Sequence, residues 1–321
     1  MPGHPGTVAL IVALCVFAMA APTAAQELDI VKVAIPQRGS WETSPSDLGR
    51  LKGIFAKHGI KTETLYTAGG GETMQALISG SIDVAAATGT ASVLATYSKG
   101  APVRPIATSI TGAQNPFWYV PMNSSLQSLR EAAGKTIAFS ATGSSSHLAT
   151  LALVRQSGAD IRAVAAGTSE ATFTQVMSGQ IDVGWAAAPF GIAQIEQKRI
   201  RIIAKYNDIP EYRDMSARMH VANLDFITKR PAVMRRFLTA YAETLDWMFG
   251  GDEALEVFGK FYDLPVGETR YTRDKLYSRR ALDLKRLGGL DRATAEALSL
   301  KFISKPFTQS ELDELLKYFN K

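Results

Sequence analysis

The stretch SGSIDV at residues 79–84 returns as SGQIDV at 178–183, 99 positions later. Working outward from each copy, the same elements recur. Before the first copy, Met74, Leu77 and Ile78 share one face of a predicted helix; before the second, Phe173, Val176 and Met177 hold the same spacing. Further back, residues 60–66 and 161–167 read as strands, each preceded by a helix stopped at Gly59 or Gly158. The first of these helices turns Leu48, Leu51 and Phe55 inward, the second Leu148, Leu151 and Val154. Short apolar strands open each copy at 30–35 and 135–140 and close it at 82–87 and 181–187. Two β-α-β-α-β units predict an α/β protein of two lobes, each a mainly parallel sheet flanked by helices on right-handed crossovers. The glycine of S-G-x-I-D-V suits the left-handed position after a helix. Asp83 and Asp182, with no base or metal-ligating neighbour in sequence, are expected to hold nearby backbone.

The first residues are read apart from the fold. Residues 8–21 form an apolar run too short to span a bilayer comfortably, followed by small residues, as in a secretory signal peptide cut after residue 25, although Lys and Arg are missing from its start. Cys15 lies inside that run behind the bulky Leu14, which makes it a residue of the leader and not a lipid anchor. The remaining 296 residues contain no cysteine, so a core and not disulfides must carry the fold. The leader has no charged side chain, so the formal charge of +5 belongs to the rest of the chain. Basic residues are scattered among acidic ones without interleaved aromatics, which argues against nucleic acid.

Residues 103–111 and 117–121 lead from the first unit to the second, and 199–206 and 219–223 return, so two crossings form a hinge. The expected division is residues 1–25 as leader, 26–112 plus 219–321 as the first lobe with C-terminal helices, and 113–218 as the second. From Pro231, Met234, Phe237, Leu238, Tyr241, Leu245 and Met248 trace one apolar helix face, with further helices expected near 252–262, 267–286, 292–303 and 308–319.

The order VKVAIPQ, LGRLKGIFAKHGIKTETLYTAGGGETMQALISGSIDVAAATGT, GKTIAFSATGSSSHLATLALVRQSG and MHVANLDFITKRPAVMRRFLTAYAETLDWM resembles the NMT1/THI5-like family, with the solute-binding proteins of ABC importers for nitrate, sulfonates and taurine. That resemblance implies a two-lobed type II periplasmic binding fold. It also implies a monomer that closes on a small solute in the periplasm, presents it to a membrane permease and needs no cofactor or metal.

Ligands of open parallel sheets sit beyond the carboxyl ends of the strands. After the first strand, Arg38, Ser40 and Trp41 are candidates, with Arg38 readable either as a contact or as a solvated charge. After the third, Thr88, Gly89 and Thr90 stand where a helix begins. In the second unit Ser140, Thr142, Ser144 and Ser145 exceed the single hydroxyl a cap needs. Trp185 and Pro189 are expected to form a wall opposite Trp41, and Asn115 and Asn223 to reach in from the hinge. This set favours a sulfonate or an aromatic or heterocyclic acid over a bare ion. Two other classes stay open. An enzyme on the same fold would, in the synthase-like members, carry a cysteine cluster and a catalytic histidine; here cysteine is missing and His58, His147 and His220 are dispersed. A ligand sensor docking on a membrane receptor is the other.

Overall fold

The first strand, β1 (Asp29–Ile35), buries Val31, Val33, Ala34 and Ile35 completely, as a strand covered on both faces must. The computed structural model describes residues 1–3, 27–67 and 69–321; the leader expected over 1–25 lies, from residue 4 on, outside them. β1 pairs in parallel with β2 (Ile60–Tyr66), from Asp29↔Ile60 to Ile35↔Tyr66, and with β3 (Val84–Gly89) at Val33↔Val84. β10 (Ser216–Asn223) returns from late in the chain antiparallel to β3, and β4 (Val103–Thr111) closes the edge, giving the order β2-β1-β3-β10-β4.

The second half repeats this order in two joined sheets. β6 (Thr136–Phe139) runs parallel to β7 (Arg162–Ala165). Ala138 N–H donates to Val183 O at 2.8 Å, bringing β6 beside β8 (Gly184–Ala187). β5 (Pro116–Pro121) lies antiparallel between β8 and β9 (Ile200–Lys205). The order here is β7-β6 and β8-β5-β9, two sheets joined by the parallel bridge Ile137↔Val183. Four of five strands in each half therefore point one way. The stretches expected to form only a hinge are sheet strands, and the crossings shrink to residues 112–115 and 206–215.

The repeated motif does the same work twice. Gly80 and Gly179 take φ of +74° and +76° at the ends of α3 (Gly70–Ile78) and α6 (Ser169–Met177). Lys32 N–H then donates to Asp83 Oδ2 at 2.8 Å, and Thr136 N–H to Asp182 Oδ2 at 2.9 Å, fastening one parallel strand to the next. Of the two apolar triplets, Met74, Leu77 and Val176 are buried, whereas Met177 is 43 % exposed.

Other elements depart from the sequence reading. The helix expected over 47–58 is two pieces, α1 (Pro45–Leu51) and α2 (Ile54–Lys57); the break turns Leu51 outward while Leu48 and Phe55 stay buried. α4 (Thr90–Ser98), α5 (Ser145–Ser157), α7 (Ile192–Glu196) and α8 (Leu224–Lys229) precede α9 (Pro231–Gly250), which lies on α1 and α2 with Phe237, Tyr241 and Met248 inward. α10 (Glu253–Tyr262) packs on α1 and α9. The helix expected over 267–286 stops early: α11 (Val266–Tyr271) becomes a π turn at Thr272–Leu276, then irregular chain. Long-range ties hold that stretch, since Arg273 Nη1 donates to Gly251 O at 2.7 Å and Tyr277 is buried with its hydroxyl 3.2 Å from Ser40 Oγ. Such contacts outweigh local helix propensity. α12 (Leu290–Ser299), against α4, and α13 (Gln309–Leu315) complete the chain. Among the described residues no helix is long and apolar enough to cross a membrane.

Candidate functional site

The parallel strands of both halves end on one crevice. Its inner chamber, about 50 Å³, is lined by residues after β1 and β2 and at the end of β3 (Gln37, Glu42, Gly69, Gly89), by residues after β6 and β7 (Ser140, Ser145, Thr168), and by Trp185 within β8. An outer vestibule of about 360 Å³ is lined by Arg38, Tyr66, Glu170, Pro189, Phe190 and Tyr262. Gln37 and Thr168 border both, so the two adjoin. α3, α4, α5 and α6 all begin at the inner chamber, bringing four positive helix ends to it.

At the chamber's floor stands a charge pair. Arg218 comes from β10, and its guanidinium pairs with the fully buried carboxylate of Glu42. Arg218 Nε also donates to Ser145 Oγ at 2.9 Å, a hydrogen bond from the first sheet to a helix of the second. Burial pulls the Arg218 pKa below its ordinary value. The two halves touch nearby as well: a Cβ on Gly89 would lie 2.9 Å from Gly143 O and 3.1 Å from Ser145 N.

The vestibule is aromatic. Arg38 holds its guanidinium 5.1 Å from the Tyr262 ring centre and 5.7 Å from that of Tyr66. Both phenols donate to Asp47 Oδ2, at 2.9 and 2.7 Å. Burial, reinforced by that carboxylate, pushes Tyr66 up to about 12. A flat apolar group entering here meets ring faces, one exposed cation and Glu170.

Of the candidates read from sequence, Gly89, Ser140, Ser144, Ser145 and Trp185 line the inner chamber, and Arg38 and Pro189 the vestibule. The serine run is spent partly on itself: Ser140, Ser144 and Ser146 hydroxyls lie 2.8–3.0 Å from one another, and Ser144 Oγ caps α5 by accepting His147 N–H at 3.1 Å. Thr142 is exposed on the turn before α5 and lines neither space. Thr90 donates to Ser216 O at 2.6 Å, tying α4 to β10, and Thr88 is buried in β3. Asn115 is buried at a crossing and its amide has no partner among the described residues.

Two expectations are corrected outright. Trp41 is no cleft wall: its ring is fully buried in the core, 5.1 Å from that of Phe258 and 6.1 Å from that of Phe249, because α9 and α10 pack beneath the β1 loop; Ser40 beside it turns to Tyr277. Asn223 caps α8, accepting Asp225 N–H at 2.9 Å, at the end of the sheet away from the crevice. Because β10 runs antiparallel, its beginning and not its end faces the ligand space, which puts Arg218 there instead. Sequence reasoning missed Arg218 and Glu42. The available signal was one arginine inside the apolar run of residues 215–222.

Residues 47–254 match the NMT1/THI5-like family model. The chain belongs to that family. No curated protein matches the NMT1/THI5-like chain. Among solved structures it is similar to the periplasmic aliphatic sulphonate binding protein SsuA of Escherichia coli, at 17 % identity over 89 % of this chain and 91 % of that one, with a TM-score of 0.69. It is similar too to the periplasmic nitrate-binding protein NrtA of Synechocystis, at 14 % identity, 91 % and 86 % coverage, and TM-score 0.71. A DszB variant in complex with biphenyl-2-sulfinic acid matches at 13 % identity, 90 % and 99 % coverage, and TM-score 0.62. These likenesses give the NMT1/THI5-like chain a periplasmic-binding-protein fold.

Proposed function

We propose that the chain is the solute-binding component of an ABC-type importer. It clamps one small organic solute, a sulfonate or an aromatic or heterocyclic acid, and hands it to a membrane permease. The observation that carries this reading is the crevice itself, in which four helix N-termini and the Arg218–Ser145 bond meet from two halves of the same strand order. One helix end contributes about 0.3–1 kcal/mol toward an anion, and micromolar binding requires about 8 kcal/mol. Contacts from both sides are therefore needed, which suits a clamp. Two lobes, with the expected boundary at 218 moved back to 215 because β10 begins at Ser216 in the first sheet, a cleaved leader, a periplasmic location and a monomeric state belong to the same proposal, with no nucleic-acid partner.

The sulphonate- and nitrate-binding relatives support transport, and the likeness to DszB, an enzyme, keeps catalysis as the competing reading. Calorimetry of the protein lacking residues 1–25 against alkanesulfonates, aromatic acids and nitrate, with product analysis of each incubated mixture, separates them. Stoichiometric binding with every solute recovered unchanged is expected; turnover of any solute would sink the transport reading.

A further inference from the structure

The inner chamber holds a group that anion binding alone does not use. Glu42 is fully buried, lines the chamber, and has its Oε1 in the Arg218 pair, while Oε2 has no hydrogen-bond partner among the described residues. A buried carboxylate oxygen left unpaired is costly, and a bare oxyanion, with nothing but acceptors, would make it worse. Arg218 offers no excess charge in compensation, because Glu42 balances it and Ser145 takes its Nε–H. Trp185 lines the same chamber, 4 % exposed, and its Nε1–H is likewise without a partner among the described residues. Beside the four helix ends, the chamber's lining thus includes one unpaired strong acceptor and one unpaired side-chain donor around a space that fits only a few atoms.

We infer that Glu42 selects the solute by its inner end: that end carries an N–H donor beside an acceptor oxygen, as in a carboxamide or an amino acid-like zwitterion, and bare oxyanions are rejected. The N–H donates to Glu42 Oε2, the acceptor oxygen takes Trp185 Nε1–H and the helix N-termini, and the remainder of the solute lies along Tyr66, Tyr262 and Phe190 in the vestibule. This rests on the solute-binding reading but changes its solute class: a plain sulfonate or carboxylate gives way to a solute whose inner end also carries an N–H donor.

Matched probes differing at that end test it: nicotinamide against nicotinate, and taurine against ethanesulfonate, with nitrate as the bare ion. Calorimetry should show nicotinamide or taurine binding at least ~10-fold more tightly than its partner, the scale of one charge-assisted hydrogen bond. Glu42→Gln should bring the two members of the pair within ~3-fold of each other. Because Glu42→Gln leaves Arg218 buried and unpaired, the double variant Glu42→Gln/Arg218→Gln is measured beside it, with circular dichroism as the check on folding, and should lose the preference equally. Binding of nicotinate, ethanesulfonate or nitrate as tight as that of the donor-bearing partner, a preference that survives in the folded variants, or no binding by any probe would each overturn the inference. Crevice closure on ethanesulfonate or nitrate would do so while leaving the solute-binding reading intact.

Discussion

Single residues in this chain matter through what they let approach. Gly89 has φ −57° and ψ 130°, a conformation open to alanine, so its demand is for space and not for backbone freedom. A Cβ there would press on the backbone of Gly143 and Ser145, which cannot rotate aside as a side chain would. Gly89→Ala should therefore fold with a melting temperature close to that of the parent and bind its solute about 10-fold more weakly or worse, about 1.4 kcal/mol of lost closure by calorimetry. Undiminished affinity would show that the two halves do not need this contact. Glycine identity at 89 was legible as a site residue because it follows a strand and opens a helix; that the opposing surface is bare backbone was not, since it comes from a segment 54 positions away.

At the scale of elements, the S-G-x-I-D-V join is where local chemistry fixes strand order. Asp182 accepts Thr136 N–H and Oγ1–H, each at 2.9 Å, and lies 3.3 Å from Lys135 Nζ; Asp83 does the backbone half of this in the first sheet. Partial burial pushes the Asp182 pKa up, but the Thr136 hydrogen bonds and Lys135 outweigh it and hold it below 3.8. A carboxylate whose folded pKa is depressed stabilises the fold above its unfolded pKa and loses that contribution as pH falls through the folded value. Asp182→Asn should thus cost about 1–2 kcal/mol in denaturant melts at pH 7, discounted for its partial exposure. The gap to the parent should shrink below pH 4; a gap constant down to pH 2 would mean that charge plays no part. The same scale shows where periodicity misleads. A 3.6-residue pattern joined α1 to α2 across the left-handed Gly53 and ran α11 onward to 286; in the second case apolar spacing does not register a break imposed by distant partners such as Gly251 and Ser40.

The whole molecule is a clamp only if its halves respond to each other. Arg218 Nε to Ser145 Oγ is the described hydrogen bond that crosses the inner chamber, and a hydrogen bond to a charged group contributes about 1.5–3 kcal/mol. Ser145→Ala removes it without touching the cap, which Ser144 supplies. Small-angle scattering should find the ligand-free variant more extended than the parent, and its solute affinity about 10-fold lower or more. Identical scattering profiles, with and without solute, in parent and variant would refute a moving clamp.

Sequence alone determined the two-fold plan of this protein. Strand and helix spacing, left-handed glycines after helices and an aspartate at the next strand sit close together in sequence in both copies, and each aspartate is satisfied by the first strand of its own unit. Seven of the fourteen candidate ligand residues line the crevice, because the end of a parallel strand is fixed once its neighbour is known. The tertiary structure decided the rest. An antiparallel strand presents its start where the parallel strands present their ends, so only the pairing of β10 with β3 and β4 brought Arg218 to Glu42 and sent Asn223 away. Likewise only the packing of α9 and α10 took Trp41 into the core, since burial is a property of what covers a side chain and not of the residues beside it.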